Sequence, residues 1–418
     1  MYKVTLLPFY RQIKVMLACN LNKIELSNNI GLKSEEFTVS FSQSISDLTT
    51  DWNEQAGSNL FLNAAFLSAL EAAPPSGTSY RYGLVSKKEQ QVGIVYFQLK
   101  KINLFLSLRL DAYKPSGFVD RVWHGIKSFL AKRINQYVLV NGNMTLTGNN
   151  GFLFSDSIGD EDKFSLVDEI SDQLVCKLRK EKIKVKAILL KDYRSEEKAN
   201  KEDWDFSEFQ VQPNMIMKID QEWTSFEDYI MAMRSKYRVR VRRARKKAES
   251  LEKRQLSLEE IHSYAEDISN LYKNVADQAG FNLFILPKNY FYSLQKQLGE
   301  HMKLVAYFEE GKMVGYYTHI INGGELDAHF LGYDSTCNKN CQLYLNMLYD
   351  LVDDAIQLKA HNLILSRTAM EIKSSIGAEA HDMFLYMRMI NPLLNKGVSA
   401  ALDYFKPKAE WQPRSPFK

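Results

Sequence analysis

Between Arg234 and Lys247 the chain carries nine Lys or Arg in fourteen positions and no acid. Any fold of this chain must bury one side of that segment and leave the charges outside. Phe226, Tyr229, Ile230, Met233, Tyr237, Val241, Ala244, Ala248 and Leu251 recur at spacings of three and four. That pattern predicts one amphipathic helix over Phe226–Leu251 with a cationic remainder. Thr224 and Glu227 are spaced as a capping box in front of it, and the acids of the first turn suit the helix dipole. The alternation Arg238–Arg242 would suit a strand, but the longer periodicity outweighs it. Charged helix faces usually mix signs, and like charges repel unless a counter-charge is supplied. The segment is therefore read as anion-binding. A nucleic-acid backbone, a phospholipid surface and a substrate diphosphate all remain open.

A chain of 418 residues is too long for one core, so two domains are expected. The net charge of +4 is small, which makes the basic segment a local concentration. Cys19, Cys176, Cys337 and Cys341 are too few and too scattered for a disulfide framework, and a reducing compartment is expected. Cys337 and Cys341 form a CxxxC, but no second Cys or His pair stands at zinc-like spacing, so no metal is expected. Val4–Ala18 is broken by Pro8, Arg11 and Lys14, and no run approaches the length of about eighteen apolar residues that spans a bilayer. A cytoplasmic protein is expected, with peripheral contact at the inner membrane face left open.

Along the chain, 1–35 reads as an extension, and alternation suggests a strand at Phe37–Ile45. Helices are expected at Leu48–Gln55, Ala64–Ala73, Val119–Arg133 and Lys163–Lys180, with strands at Tyr137–Thr147 and Val185–Leu190. Asp192–Asp205 is charged and reads as a boundary or loop. In the second half Met215–Ile219 is strand-like, and helices are expected at Leu258–Ala279, Lys288–Leu298 and Gln342–Leu358. Glu325–Tyr333 and Asn362–Ser366 read as strands, Asp334–Asn340 as a loop, and Pro392–Phe405 as an amphipathic helix before a basic Pro-rich tail. Tyr80–Lys101 and Met302–Asn322 both read as a strand, a charged turn, a Val-Gly step and a second strand. A repeat about one domain length apart suggests duplicated α/β halves, divided as 36–205 and 206–405, with 406–418 as tail.

The order of these pieces resembles the FemAB-like proteins, tandem-domain members of the GNAT superfamily. The matching stretches are Phe226–Lys247, Lys303–Tyr317, Tyr333-Asp334 and Glu371–Ala378. The resemblance implies mixed α/β sheets in two tandem GNAT-like acyltransferase domains. It implies transfer of an acyl or aminoacyl group to an amine without a covalent enzyme intermediate. The donor would be an acyl-CoA or, alternatively, an aminoacyl-tRNA, and the acceptor a small-molecule or lipid-linked amine. It carries a phosphate-gripping or carbonyl-stabilising role to Lys236, Arg238, Arg242 and Lys373, while Ile376 stands where the family usually has Phe. Tyr333–Gln342, YDSTCNKNCQ, corresponds to the loop that holds the CoA pyrophosphate in GNAT enzymes, which would put Asn340 and Gln342 at the cofactor. That loop has no glycine, so close approach of backbone to phosphate is harder. Only about fifty residues separate the basic segment from the second hairpin, which leaves no room for the helical arm of some tRNA-using relatives.

The residues suggest a chemistry of their own. Strict alternation puts Glu325, Asp327, His329 and Tyr333 on one strand face, with Leu326, Ala328 and Phe330 on the other. His329 suits proton transfer near neutral pH, with Asp327 to orient it and Tyr333 to meet substrate. The loop Ser366–Ala378 gathers Arg367, Glu371 and Lys373 just after a strand, where α/β sites collect. Arg367 and Lys373 would serve phosphates or an oxyanion, and Glu371 would partner Lys373 or act as base. In the first half Arg109, Asp111 and Tyr113 share a strand face if that stretch is extended, and the domain is expected to complete the substrate cleft without performing the chemistry. The rival readings are a nucleic-acid or anionic-surface binding protein and a non-catalytic relative that recognises a cell-envelope precursor.

Overall fold

The computed structural model describes residues 29–31, 36–103, 135–195, 205–278, 283–395 and 411–417. Arg109, Asp111, Tyr113 and the helix expected at Val119–Arg133 lie outside them, as do nearly all of the amino-terminal extension and most of Pro392–Phe405. The first half contains β1 (Asn29–Gly31), β2 (Phe37–Ser42), α1 (Thr49–Ala56), α2 (Ala64–Ala72), β3 (Thr78–Lys87), β4 (Gln90–Asn103), β5 (Asn135–Asn141), β6 (Phe152–Phe154), α3 (Asp160–Lys180) and β7 (Val185–Arg194). Then come β8 (Ser207–Lys218), α4 (Phe226–Ala232), α5 (Ser235–Lys247), β9 (Glu252–Gln255), α6 (Leu258–Ser263), α7 (Ala265–Ala276) and α8 (Tyr290–Leu298). The chain continues through β10 (Met302–Glu309), β11 (Lys312–Asn322), β12 (Glu325–Tyr333), α9 (Ser335–Cys341), α10 (Leu343–Gln357), β13 (Asn362–Ile364), α11 (Met370–Ser374) and β14 (Glu379–Met389).

All the strands join one mixed sheet, in the order β1-β2-β3-β4-β5-β7-β14-β8-β13-β12-β11-β10-β9, with β6 on β4. Read from either edge toward the middle, the order repeats. β2, β3, β4 and β5 pair antiparallel, β5 pairs β7 in parallel, and β7 meets β14 antiparallel. From the other side, β9 to β12 pair antiparallel, β12 pairs β13 in parallel, and β13 meets β8 antiparallel. The two hairpins read from the sequence occupy equivalent places in these halves. Even their turns agree: Lys88 and Glu89 have φ of 48° and 69°, and Glu310 and Gly311 have 51° and 78°. Both hairpins close through the left-handed turn geometry that matches strand twist.

Two strands cross the middle. β8 follows the first half in sequence but pairs β13 of the second, whereas β14 ends the second half yet pairs β7 of the first. β8 and β14 then pair with each other. One core cluster belongs to both halves and sits under a shared helical layer, with Trp52, Phe66, Tyr82 and Tyr96 packed in common with Tyr290, Phe291 and Tyr316. Ser293 Oγ of α8 donates to the Ala69 carbonyl of α2 at 3.0 Å across that layer. On the other face, α3 covers the first half, and α4, α5 and α10 cover the second.

The basic segment folds differently from the single helix expected. It breaks at Met233 and Arg234, whose ψ angles of 154° and 147° are extended. The carboxy-terminal residues fill the break: Met233 bridges Phe417, and Arg234 N donates to the Pro416 carbonyl at 2.8 Å. The apolar stripe survives because Met233 and Tyr237 stay one turn apart, and Tyr229, Ile230, Met233, Tyr237, Val241 and Ala244 are all buried. The capping box is one residue later than expected, Ser225 with Asp228, and the Thr224 hydroxyl donates to the same carboxylate at 3.0 Å. The loop expected at Asp334–Asn340 is instead the short helix α9, capped by Asp334.

Gly332 shows how tightly the second half is packed. A Cβ there would lie 2.5 Å from the Leu271 carbonyl carbon and 2.6 Å from the Tyr272 nitrogen, which are α7 backbone atoms. Gly332→Ala must push α7 off β12, and is expected to cost about 1–3 kcal/mol, read as a lower urea midpoint at unchanged slope.

Candidate functional site at the junction of the halves

The parallel pairing of β12 with β13 covers only Glu325–Asp327 against Asn362–Ile364. β13 then stops, and β12 runs on to Tyr333 with that edge free of a strand partner among the described residues. Within this free stretch β12 carries a bulge. Leu331 lies opposite Tyr317 and Ala328 opposite His319, so His329 and Phe330 both stand against Thr318. Thr318 Oγ1 accepts from Phe330 N at 3.0 Å and donates to the Phe330 carbonyl at 2.9 Å, which holds the extra residue in place.

The bulge overturns the simple alternation. Asp327 and His329 face the helical layer of α7 and α8, but Tyr333 turns to the α10 side, where its ring lies 5.9 Å from that of Tyr344. Tyr333 therefore does not share a face with His329. The residues facing the layer are buried: Asp327 is 4% exposed and His329 9%. Their expected pairing is absent. His329 Nε2 meets the Tyr290 hydroxyl at 2.9 Å, with the two rings stacked 5.8 Å apart, and His329 Nδ1 has no hydrogen-bond partner. Burial pulls the His329 imidazole down to about 3, so it is neutral at physiological pH. Burial pushes the Asp327 carboxyl up to about 7, helped by the Glu325 charge and opposed by Lys191. Burial thus moves the Asp327 carboxyl toward neutral pH and the His329 imidazole away from it.

The first half supplies the other side of the junction. Asn143 Oδ1 accepts from Gln98 Nε2 at 3.1 Å and from Thr145 Oγ1 at 2.8 Å, and Gln98 Nε2 also reaches the Tyr96 hydroxyl at 2.8 Å. Lys191 donates to the Leu146 carbonyl at 2.7 Å and to Asp192, whose buried carboxylate also accepts from Arg367. Burial draws the Lys191 amine down to about 8. Arg367 thus crosses between the halves. Its loop has φ of 58°, 67° and 48° at Ser366, Thr368 and Ala369, and Asp192 has φ 64°. Left-handed non-glycine backbone costs about 1–2 kcal/mol per residue and clusters where function constrains a loop.

Lys373 does not face a ligand. It is 5% exposed, and its amine donates to the Leu365 and Arg367 carbonyls at 2.6 Å each. Burial brings it down to about 7. It holds the strained loop together from inside. Glu371 is not its partner but pairs with Arg414 of the carboxy-terminal segment. Gly377, at φ 114°, is required where it stands, because a Cβ would meet the Phe417 ring at 2.5 Å.

The cationic segment lies on the opposite face of the sheet from Asp327 and His329. Tyr237, Val241 and Ala244 of α5 pack toward α10. Of the cations singled out in the sequence, Arg238 donates to the Met233 carbonyl at 2.6 Å and closes α4, while Arg242 lies 3.7 Å from Glu227. Lys236 does line a groove of about 780 Å³ with Arg240, Tyr237, Ala369–Ile372, Trp411 and Arg414. Arg240 stood in the basic segment and Arg414 in the basic tail without being singled out, and Tyr290, Lys191 and Asp192 had no distinguishing signal. Asn340 is exposed on α9, and Gln342 is the left-handed residue (φ 50°) between α9 and α10. In that segment Asp334 Oδ1 accepts from Thr336 N at 2.8 Å and Cys337 N at 3.0 Å, and Asn338 Oδ1 accepts from Tyr344 N at 2.8 Å. The chain's own oxygens occupy donors that a phosphate would need.

Two α/β halves of matching strand order meet around a buried polar junction. The chain belongs to the FemAB-like family, described as peptidoglycan biosynthesis/recognition, whose model matches residues 150–362. Among solved structures it is similar to FemX, at 12% identity and a TM-score of 0.49, covering 86% of this chain and 100% of that one. It is similar to a tandem GNAT protein of the clavulanic acid pathway, at 8% identity and a TM-score of 0.46, covering 85% and 99%. A third is L-PGS from Bacillus licheniformis, at 10% identity and a TM-score of 0.44, covering 80% and 95%. No match was found among curated protein sequences. No described helix is long and apolar enough to cross a membrane.

Two stability measurements check this site. Lys373→Met should cost about 1–3 kcal/mol for each carbonyl left without a donor, whereas Glu371→Gln, at an exposed ion pair, should cost about 0–1 kcal/mol; urea unfolding separates them. Because Asp327 holds its proton more tightly folded than unfolded, its contribution to stability falls as pH rises from about 4 through about 7. Asp327→Asn should therefore gain on the parent protein across that window and match it below, in unfolding curves taken at stepped pH.

Proposed function

We propose that this protein transfers an aminoacyl or acyl group from an activated ester-type donor to the amine of a diphosphate-bearing cell-wall precursor. The observation that carries this reading is the groove beside α5. Lys236, Arg240 and Arg414 face it against one acid, Glu371, which Arg414 neutralises. Two positive charges are left over, suited to a diphosphate. The groove is walled by the segment Ala369–Ile372, whose preceding residue pair begins at Arg367 in the polar junction. On this reading a precursor anchored by its phosphates in the groove extends its amine past the end of β13 toward Asp327.

In the reaction the amine nitrogen attacks the donor carbonyl, the carbonyl oxygen gathers negative charge, and the bond to the leaving oxygen breaks. Asp327 accepts the proton of the attacking amine. Lys191, donating beside Asp192, favours the developing oxyanion. His329 stays neutral and positions Tyr290. The Asp334 cap on α9 and the Asn338 contact to Tyr344 N favour an aminoacyl ester over acyl-CoA.

The test uses purified protein, a nucleotide-diphosphate-linked muropeptide as acceptor, and aminoacyl-tRNA and acyl-CoA as rival donors. Lys236→Ala and Arg240→Ala should each raise the acceptor KM about tenfold or more with kcat nearly unchanged. kcat/KM should climb with pH through about 7, and Asp327→Asn should lose that limb along with about a hundredfold or more in rate. Unchanged acceptor KM in both groove variants would remove the groove from substrate binding.

A further inference from the structure

The CxxxC of the sequence lacks a second ligand pair by spacing, yet the fold brings one more ligand to it from a different strand. Cys337 and Cys341 lie one helical turn apart on α9, both buried with free thiols. Glu309 ends β10, immediately before the left-handed turn Glu310-Gly311. The two sulfurs and a Glu309 carboxylate oxygen all lie within 4.8 Å of one another. Tetrahedral ligands at bonds of about 2.0–2.3 Å stand about 3.3–3.8 Å apart, so the triad needs to close by about 1 Å, within reach of side-chain rotation.

We propose that Glu309, Cys337 and Cys341 bind one zinc-type divalent cation, with water as the fourth ligand, and so fasten the β10–β11 turn to α9. On binding, both thiols release their protons to solvent, two metal–sulfur bonds form, and no electron is exchanged. The cation charge offsets the two thiolates, which water cannot do in a buried site. Because two protons leave, affinity falls about a hundredfold for each pH unit below the thiol range. Such a clamp would fix the segment Asp334–Gln342 that precedes α10, a structural duty separate from transfer chemistry.

The test uses the full chain, free of affinity tag, metal-depleted under reductant, and titrated with Co²⁺. Support is saturation at about one equivalent with a near-ultraviolet thiolate-to-cobalt band, displaced by Zn²⁺, and thiols protected from a disulfide reagent while metal is bound. Glu309→Gln should weaken binding about tenfold or more, and Cys341→Ser should abolish the band. The proposal is overturned if no saturable band forms, if Glu309→Gln binds as the parent does, or if the thiols stay fully reactive with metal present. Should Cys341→Ser fail to fold, Glu309→Gln and thiol protection in the parent protein still decide.

Discussion

The antiparallel pairing of β8 with β14 is the constraint on which the rest of the molecule depends. β8 opens the second half and pairs its β13, whereas β14 ends the second half yet completes the sheet of the first. Backbone hydrogen bonds, not a surface contact, therefore fix one half against the other, and the shared aromatic core under α2 and α8 reinforces the arrangement. A junction made this way has little freedom to open as a hinge. It can hold polar side chains from both halves within fractions of an ångström, as catalysis at a carbonyl requires.

What the junction holds is costly to hold. Lys191, Asp192, Asp327 and Arg388 are all buried, and Arg388 is matched by Asp168 and Asp172 at 2.8 and 2.6 Å. That last set is balanced and reads as architecture. The Lys191, Asp192, Arg367 and Asp327 set is different: its acid and its amine are both displaced toward neutrality, and it adjoins a loop with three left-handed non-glycine residues. Desolvation of this kind destabilises the fold while tuning groups for proton transfer near neutral pH. Lys373 offsets part of the loop strain by gathering its carbonyls, which is why a lysine set in a motif-like stretch is buried and not presented to a ligand.

The bulge at His329-Phe330 organises the second half in the same spirit. One extra residue sends Asp327 and His329 to the helical layer and Tyr333 to the α10 side, and the early end of β13 leaves the adjoining edge of β12 open. The cationic groove and the carboxyl that titrates near neutrality lie on opposite faces of the sheet. Arg367 reaches inward to Asp192, and Ala369–Ile372 lines the groove outside.

Much of the architecture was legible in the residues alone. Period-two and period-four patterns located both hairpins, the buried stripe Tyr229–Ala244 and most helices, because local periodicity directly reflects which side of an element meets the core. The Val-Gly steps exposed the duplication for the same reason. Tertiary structure alone decided the break at Met233, since the residues that fill it come from the far end of the chain. It decided the strand exchange, because pairing across the middle leaves no trace in either strand's own pattern. It also decided the partners of the charged residues: Arg367 with Asp192, Glu371 with Arg414, Glu309 beside Cys337 and Cys341. A sequence states which side chains carry charge, whereas burial and long-range contact set how each is neutralised and at what pH it lets go of its proton.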